Sequence, residues 1–185
     1  MEDTAKLYED LERVLVRREE ITAAVKELGK RITADYQGKE PVVVGILKGA
    51  VVFYSDLIRE LDLPMYTDFM SVSSYGAGTE STGELRIRMD LTNGIKGRDV
   101  IIVEDIVDTG LTLFNLKKHL AGRGATSIKI ATLLDKPARR RVELEADYSC
   151  FTIPDAFVVG YGLDYNEKYR NLPDIGVLSP RIYQK

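Results

Sequence analysis

The chain has 185 residues, 44% hydrophobic and 30% charged, the composition of an ordinary globular domain long enough to bury a core. With 26 Lys and Arg against 29 Asp and Glu, its formal charge of −3 excludes a whole-domain basic footprint for nucleic acid. One cysteine (Cys150) and one histidine (His119) exclude an intrachain disulfide and a Cys/His zinc site, and no apolar run approaches the roughly 20 residues of a membrane span. The opening MEDTAKLYEDLERV lacks the basic-then-apolar pattern of a secretory signal, so a cytoplasmic protein with no membrane partner is expected. No repeat, low-complexity tract or linker divides the chain, and residues 1–185 are read as one domain. Its chemistry must then come from carboxylates, lysines, arginines, hydroxyls and backbone.

From Glu19 to about Tyr36, Ile21, Ala24, Val25, Leu28 and Ile32 recur at helical spacing and predict an amphipathic helix. After the break at Gln37–Pro41, the β-branched run Val42–Leu47 predicts a strand buried on both faces of a parallel sheet. A helix is expected over Ala50–Leu61, then strands over Met65–Ser73 and, from its period-two alternation, Leu85–Leu91. Between those strands, residues 74–84 carry three glycines and no large aliphatic anchor, the composition of a flexible lid loop over a site. Val100–Val103 predicts a second buried strand, Leu111–Leu120 a helix, Ile128–Leu134 a third strand and Ala156–Val159 a fourth. Strands alternating with helices argue an α/β fold whose parallel sheet is covered on both faces, and such sheets bind ligands at the carboxyl ends of their strands.

The end of the second buried strand is the most informative. Glu104, Asp105 and Asp108 fall in the first five positions after it, and Thr109, Gly110, Leu111 and Thr112 lead into a helix N-terminus. Free backbone N–H groups and the positive end of the helix dipole make that terminus a cradle for phosphate, although no Walker-type Gly-Lys-Ser/Thr is present. Helix capping accounts for Asp108 and Thr109 taken alone. It accounts for neither Glu104 nor Asp105, whose pairing suits a hard cation or a vicinal diol.

The run VIIVEDIVDTGLT (residues 100–112) resembles the phosphoribosyl-pyrophosphate (PRPP) signature of type I phosphoribosyltransferases. Leu47-Lys48-Gly49, Ser73-Ser74-Tyr75-Gly76, Leu133-Leu134-Asp135-Lys136-Pro137 and residues 154–172 together are similar to the 6-oxopurine branch, the hypoxanthine(-guanine) phosphoribosyltransferases. The resemblance covers about Val14 to Leu178. It implies a parallel, doubly covered sheet with a small hood, and a purine-salvage reaction. In that reaction hypoxanthine or guanine displaces pyrophosphate from C1 of PRPP through an oxocarbenium-like transition state, giving IMP or GMP.

The roles follow from the same resemblance. Asp108 would be the general base towards purine N7, and Thr109 to Thr112 the 5′-phosphate cradle. Glu104, Asp105 and Asp164 would hold Mg²⁺, the first two also holding the ribose hydroxyls. Lys48, Gly49 and Arg170 would meet pyrophosphate, with the Leu47–Lys48 peptide in the cis form. Lys136 would donate to the purine O6, Phe157 would stack on the base, Val158 would present backbone groups to its edge, and Ser74 and Tyr75 would reach PRPP from the lid. The run Arg139-Arg140-Arg141 reads as a solvated face. His119 and Cys150 receive no role. The resemblance also implies a homodimer or homotetramer. Rival readings are an RNA-binding regulator on the same fold, which would need a local basic surface, and another base specificity such as xanthine.

Overall fold

The computed structural model describes residues 2–74 and 85–184. The chain opens with α1 (Glu2–Glu9), β1 (Leu11–Val16) and α2 (Arg18–Asp35), followed by β2 (Val42–Leu47), α3 (Val51–Arg59), β3 (Tyr66–Ser74) and β4 (Leu85–Met89). It continues with β5 (Asp99–Val107), α4 (Leu111–Gly122), β6 (Ser127–Asp135) and a 3₁₀ turn at Pro137–Arg139. It closes with β7 (Tyr148–Thr152), β8 (Val158–Val159), β9 (Ile175–Leu178) and α5 (Pro180–Tyr183). The expected lid falls almost wholly outside the described residues: Tyr75 and the residues up to 84 are among those not described, and only the backbone of Ser74 is placed, at the end of β3.

Six strands form one sheet in the order β4-β3-β2-β5-β6-β7, parallel except for the hairpin partner β4. Successive residues of its central strand serve opposite layers. Ile101 and Val103 of β5 join Phe53, Leu57, Ile21 and Val25 from α3 and α2 on one face. Val100 and Ile102 join Leu113, Leu116 and Leu120 from α4 on the other. This is why the central strands read as unbroken apolar runs instead of alternating ones.

Two expectations about strands are corrected. The second buried strand does not stop at Val103: its parallel ladder with β6 runs on through Glu104↔Thr132 and Ile106↔Leu134 to Val107↔Asp135. Glu104 and Asp105 therefore lie within the strand, fixed by its pleat, and not in a loop after it. The fourth expected strand leaves this sheet altogether. β8 pairs antiparallel with β9, which pairs antiparallel with β1, so the two ends of the chain build a separate three-stranded hood. The sixth position of the main sheet belongs instead to β7, which contains Cys150. Among the described residues no helix is long and apolar enough to cross a membrane.

Candidate active site

β2, β5 and β6 end side by side, and each delivers residues to one region. At the end of β2 the Leu47–Lys48 peptide is cis, as the resemblance implies. Gly49 then runs so close to β5 that a Cβ on it would overlap the Asp105 carboxylate. On its other side, Gly162 (φ +102°) approaches the Gly49 carbonyl so closely that a Cβ there would overlap it too. The turn is thus clamped between an acid of the main sheet and the loop that follows the hood strand. Close approach, not φ, demands glycine at position 49.

Within β5, Asp105 accepts a hydrogen bond from the Ile106 N–H at 2.8 Å, and Glu104 accepts one from the Asp105 N–H at 3.2 Å. Burial pushes the Glu104 carboxyl well above the usual carboxylate range, and the neighbouring Asp105 charge adds to the rise. Burial raises Asp105 as well, against the lowering effects of the Glu104 side chain, the Ile106 N–H and the Arg170 charge. Two adjacent carboxylates so disfavoured as anions form a donor set that suits a hard, oxygen-seeking cation. Among the described residues no three His, Cys, Asp or Glu are grouped to hold a metal ion, so Asp164 is not gathered with Glu104 and Asp105 into one ligand set. Its Oδ1 pairs with Arg170 at 2.8 Å.

Beyond β5, Asp108 is shared between two cations. Lys136 Nζ, just past the end of β6, lies 3.3 Å from its Oδ2, and Arg139 Nη1 lies 3.4 Å from the same atom. The other oxygen, Oδ1, is buried and has no hydrogen-bond partner. Gly110 caps α4 in the left-handed region (φ +80°), and the helix's first bond runs from Phe114 N–H to the Gly110 carbonyl. The N–H groups ahead of Phe114 have no carbonyl within the helix to donate to. Residues 104–110 with Thr112 line a cavity of about 190 Å³ at this helix start, and Leu111 is the first residue of the helix.

A second cavity, of about 230 Å³, is lined by Asp108, Lys136, Phe157, Val158 and Asp164 among others. Asp105, Ile106 and Asp108 line both cavities, so the two meet along the end of β5. Phe157 is 40% exposed, unlike a core phenylalanine. Tyr183 of α5 stacks on it (centroids 5.1 Å apart, 25° between planes), and Tyr165 meets it edge-on at 5.7 Å. Val158 pairs with Val177 in the hood.

The loop after β8 supplies the remaining charges. Tyr161, Asn166, Glu167 and Tyr169 all adopt positive φ, and Gly162 N–H donates to the Arg170 carbonyl at 3.0 Å, folding residues 160–170 into tight turns. Lys48 and Arg170, expected on one ligand, converge here on Glu167: Lys48 Nζ donates to its Oε2 at 2.9 Å, and Arg170 Nη2 lies 3.4 Å away. The Lys48 ammonium holds the Glu167 carboxyl below its ordinary value. Arg170 Nε is buried without a partner.

The arginine run is solvated at Arg139 and Arg141, as expected, but not at Arg140. Arg141 N–H donates to the Thr109 carbonyl at 2.9 Å, which folds the segment after Pro137 back onto the Asp108 turn. Arg140, 15% exposed, pairs with Asp135 and donates to the Asp108 carbonyl at 3.1 Å, while Arg139 reaches Asp108. Neither these arginines nor Glu167 stood out in the sequence, where their side chains look like any surface charge.

The family model of the phosphoribosyl transferase domain matches residues 15–166. Hypoxanthine-guanine phosphoribosyltransferase of Streptococcus pneumoniae is 57% identical over 177 residues, 96% of this chain and 98% of that protein. The protein of that name from Lactococcus lactis is 56% identical over 175 residues, 95% of each chain. Among solved structures, a hypoxanthine phosphoribosyltransferase from Staphylococcus aureus superposes with a TM-score of 0.94 at 53% identity, covering 97% of both chains.

Proposed function

The chain belongs to the phosphoribosyltransferase family, in its hypoxanthine-guanine branch, and on that premise we propose that it joins hypoxanthine, and guanine, to PRPP with Mg²⁺ bound. As a member of that branch it is a pentosyl-transferring enzyme of purine salvage. The products are a nucleoside monophosphate, IMP or GMP, and pyrophosphate.

One observation carries the reading: Asp108, with one carboxylate oxygen left unpartnered, stands in the wall shared by the two cavities. An acceptor so placed lacks a proton donor, and a purine in the larger cavity supplies one from N7 as its other ring nitrogen attacks C1. Lys136 can only donate, so it favours a 6-oxo base over a 6-amino base. Phe157 offers its partly exposed ring to the base. The α4 N-terminus takes the 5′-phosphate in the smaller cavity, which leaves the ribose along Asp105–Asp108. Glu104 and Asp105 hold the ribose hydroxyls.

Glu104 and Asp105 would hold Mg²⁺, with Asp164 as a further acid towards it, and the metal would supply positive charge to the departing pyrophosphate. Lys48 and Arg170 exchange Glu167 for pyrophosphate oxygens, with the Gly49 N–H beside them. A cytoplasmic homodimer or homotetramer accompanies this reading, and sedimentation measures that state.

Incubation with PRPP, Mg²⁺ and hypoxanthine, guanine, xanthine or adenine in turn tests the assignment. Nucleotide should form with the first two, and Asp108→Asn should lower kcat by about 10²–10⁴-fold, the usual contribution of a positioned base. IMP binding should change much less. Absence of nucleotide, or unchanged kcat in Asp108→Asn, overturns the reading.

A further inference from the structure

We propose that Arg139 is a positioning residue that frees Lys136: it holds Asp108 while the lysine turns from that carboxylate to the 6-oxo group of the base. The proposal rests on the function given above. Lys136 has three N–H donors, and its side chain is 6% exposed. Its Nζ is already divided among Asp108 Oδ2 (3.3 Å), Asp155 Oδ1 (3.4 Å) and the Ala156 carbonyl (3.4 Å). All three distances exceed the roughly 2.7–2.9 Å of a committed ammonium–carboxylate bond. A base entering the cavity therefore takes this donor from the protein.

Withdrawing the only cation from a carboxylate in a partly closed cavity is costly. Asp108 has a second one. Arg139 Nη1 reaches the same Oδ2 at 3.4 Å, so both cations sit on one oxygen and the other, Oδ1, is engaged by neither. A guanidinium does not give up a proton, so Arg139 steadies Asp108 without competing in the transfer. Its backbone is fixed relative to its target: Arg141 N–H is bonded to the Thr109 carbonyl, and Arg140 to both Asp135 and the Asp108 carbonyl. Arg139 itself is half-exposed, and an ion pair so exposed adds little to stability. Its value lies in the exchange.

The test compares steady-state kinetics of wild type, Arg139→Gln and Arg139→Lys, with the glutamine change repeated in a Lys136→Gln background. Arg139→Gln should lower kcat/KM for hypoxanthine by about tenfold, the low end for a lost charge-assisted contact at a half-exposed group. Its KM for PRPP should stay within about twofold of wild type, which also reports an intact fold. Arg139→Lys should recover most of the loss, and with Lys136 already replaced the glutamine change should cost much less. An unaffected Arg139→Gln, a loss falling on PRPP, failed rescue by lysine, or an equal loss in both backgrounds overturns the role of Arg139 while wild-type turnover still upholds the enzyme. A wild-type chain that forms no nucleotide overturns the functional reading and this inference with it.

Discussion

Replacing Gly49 by alanine sets one methyl group against the Asp105 carboxylate. The turn cannot retreat, because Gly162 presses on the Gly49 carbonyl from the other side. The carboxylate must therefore rotate away, losing the 2.8 Å bond from the Ile106 N–H. Rotation relieves an overlap that would cost ~1–3 kcal/mol and gives up a hydrogen bond to a charged group worth about 1.5–3 kcal/mol, which sets the cost of the variant. At about 1.4 kcal/mol per decade, a displaced Asp105 lowers kcat/KM for PRPP by about 10–100-fold. In a chain of this size each kcal/mol moves Tm by about 2–4 °C, so the variant stays folded with Tm about 3–10 °C lower. Gly94→Ala is the control: nothing lies within 4 Å of the added Cβ and φ is not left-handed, so activity and Tm should hold. Steady-state kinetics in PRPP and a thermal melt decide. Gly49→Ala with kcat and KM for PRPP within twofold of wild type would refute the rigid clamp.

Because burial raises the Glu104 carboxyl above its unfolded value, its contribution to stability is complete below the unfolded pKa and is lost as pH rises through the folded one. Glu104→Gln, which keeps the uncharged form, should therefore melt higher than wild type at neutral pH, with the gap closing towards the ordinary carboxylate range; a gap independent of pH refutes the assignment. Added Mg²⁺ should raise the neutral-pH Tm of wild type and do so less for Glu104→Gln, as monitored by calorimetry. Burial pushes the Cys150 thiol up to about 12, so at about pH 8 iodoacetamide should label the folded chain at least ~100-fold more slowly than the unfolded one by mass spectrometry. Tyr161 donates to Asp56, and Tyr161→Phe should lower stability by about 1 kcal/mol in a urea melt without a change in kcat.

The central strands were legible because burial on both faces leaves an uninterrupted β-branched run, as in Val42–Leu47 and Val100–Val103. The hood was not. Leu11-Glu12-Arg13-Val14-Leu15-Val16 mixes exposed and covered positions without alternating, and β8 has two residues, so neither carries a period. The end of β5 is obscured for a different reason: Glu104 and Asp105 look like a strand's end, yet the backbone ladder with β6 tolerates acids whose side chains line a cavity. Asp108 and Lys136 were recognisable from their positions at strand ends. Arg139 and Glu167 were not, because a surface arginine and a site arginine differ only in where a neighbouring turn is stitched.

The charges also bear on how a chain with a net charge of −3 would accommodate the polyanion of the proposed function. Lys48 is held by Glu167, Arg170 by Asp164 and Glu167, and Lys136 and Arg139 by Asp108. Each cation of the site thus already has a carboxylate partner, so a bare anion gains only the difference between its own contact and the one it displaces. The released acids, together with Glu104 and Asp105, then face the incoming charge. On the proposed function, a polyanion that arrives with a divalent cation would meet a smaller penalty, because the metal would take up the β5 carboxylates while the oxygens take the lysine and arginine. On that function, the acids that lower the net charge would be part of what selects a metal-bearing substrate over a bare phosphate.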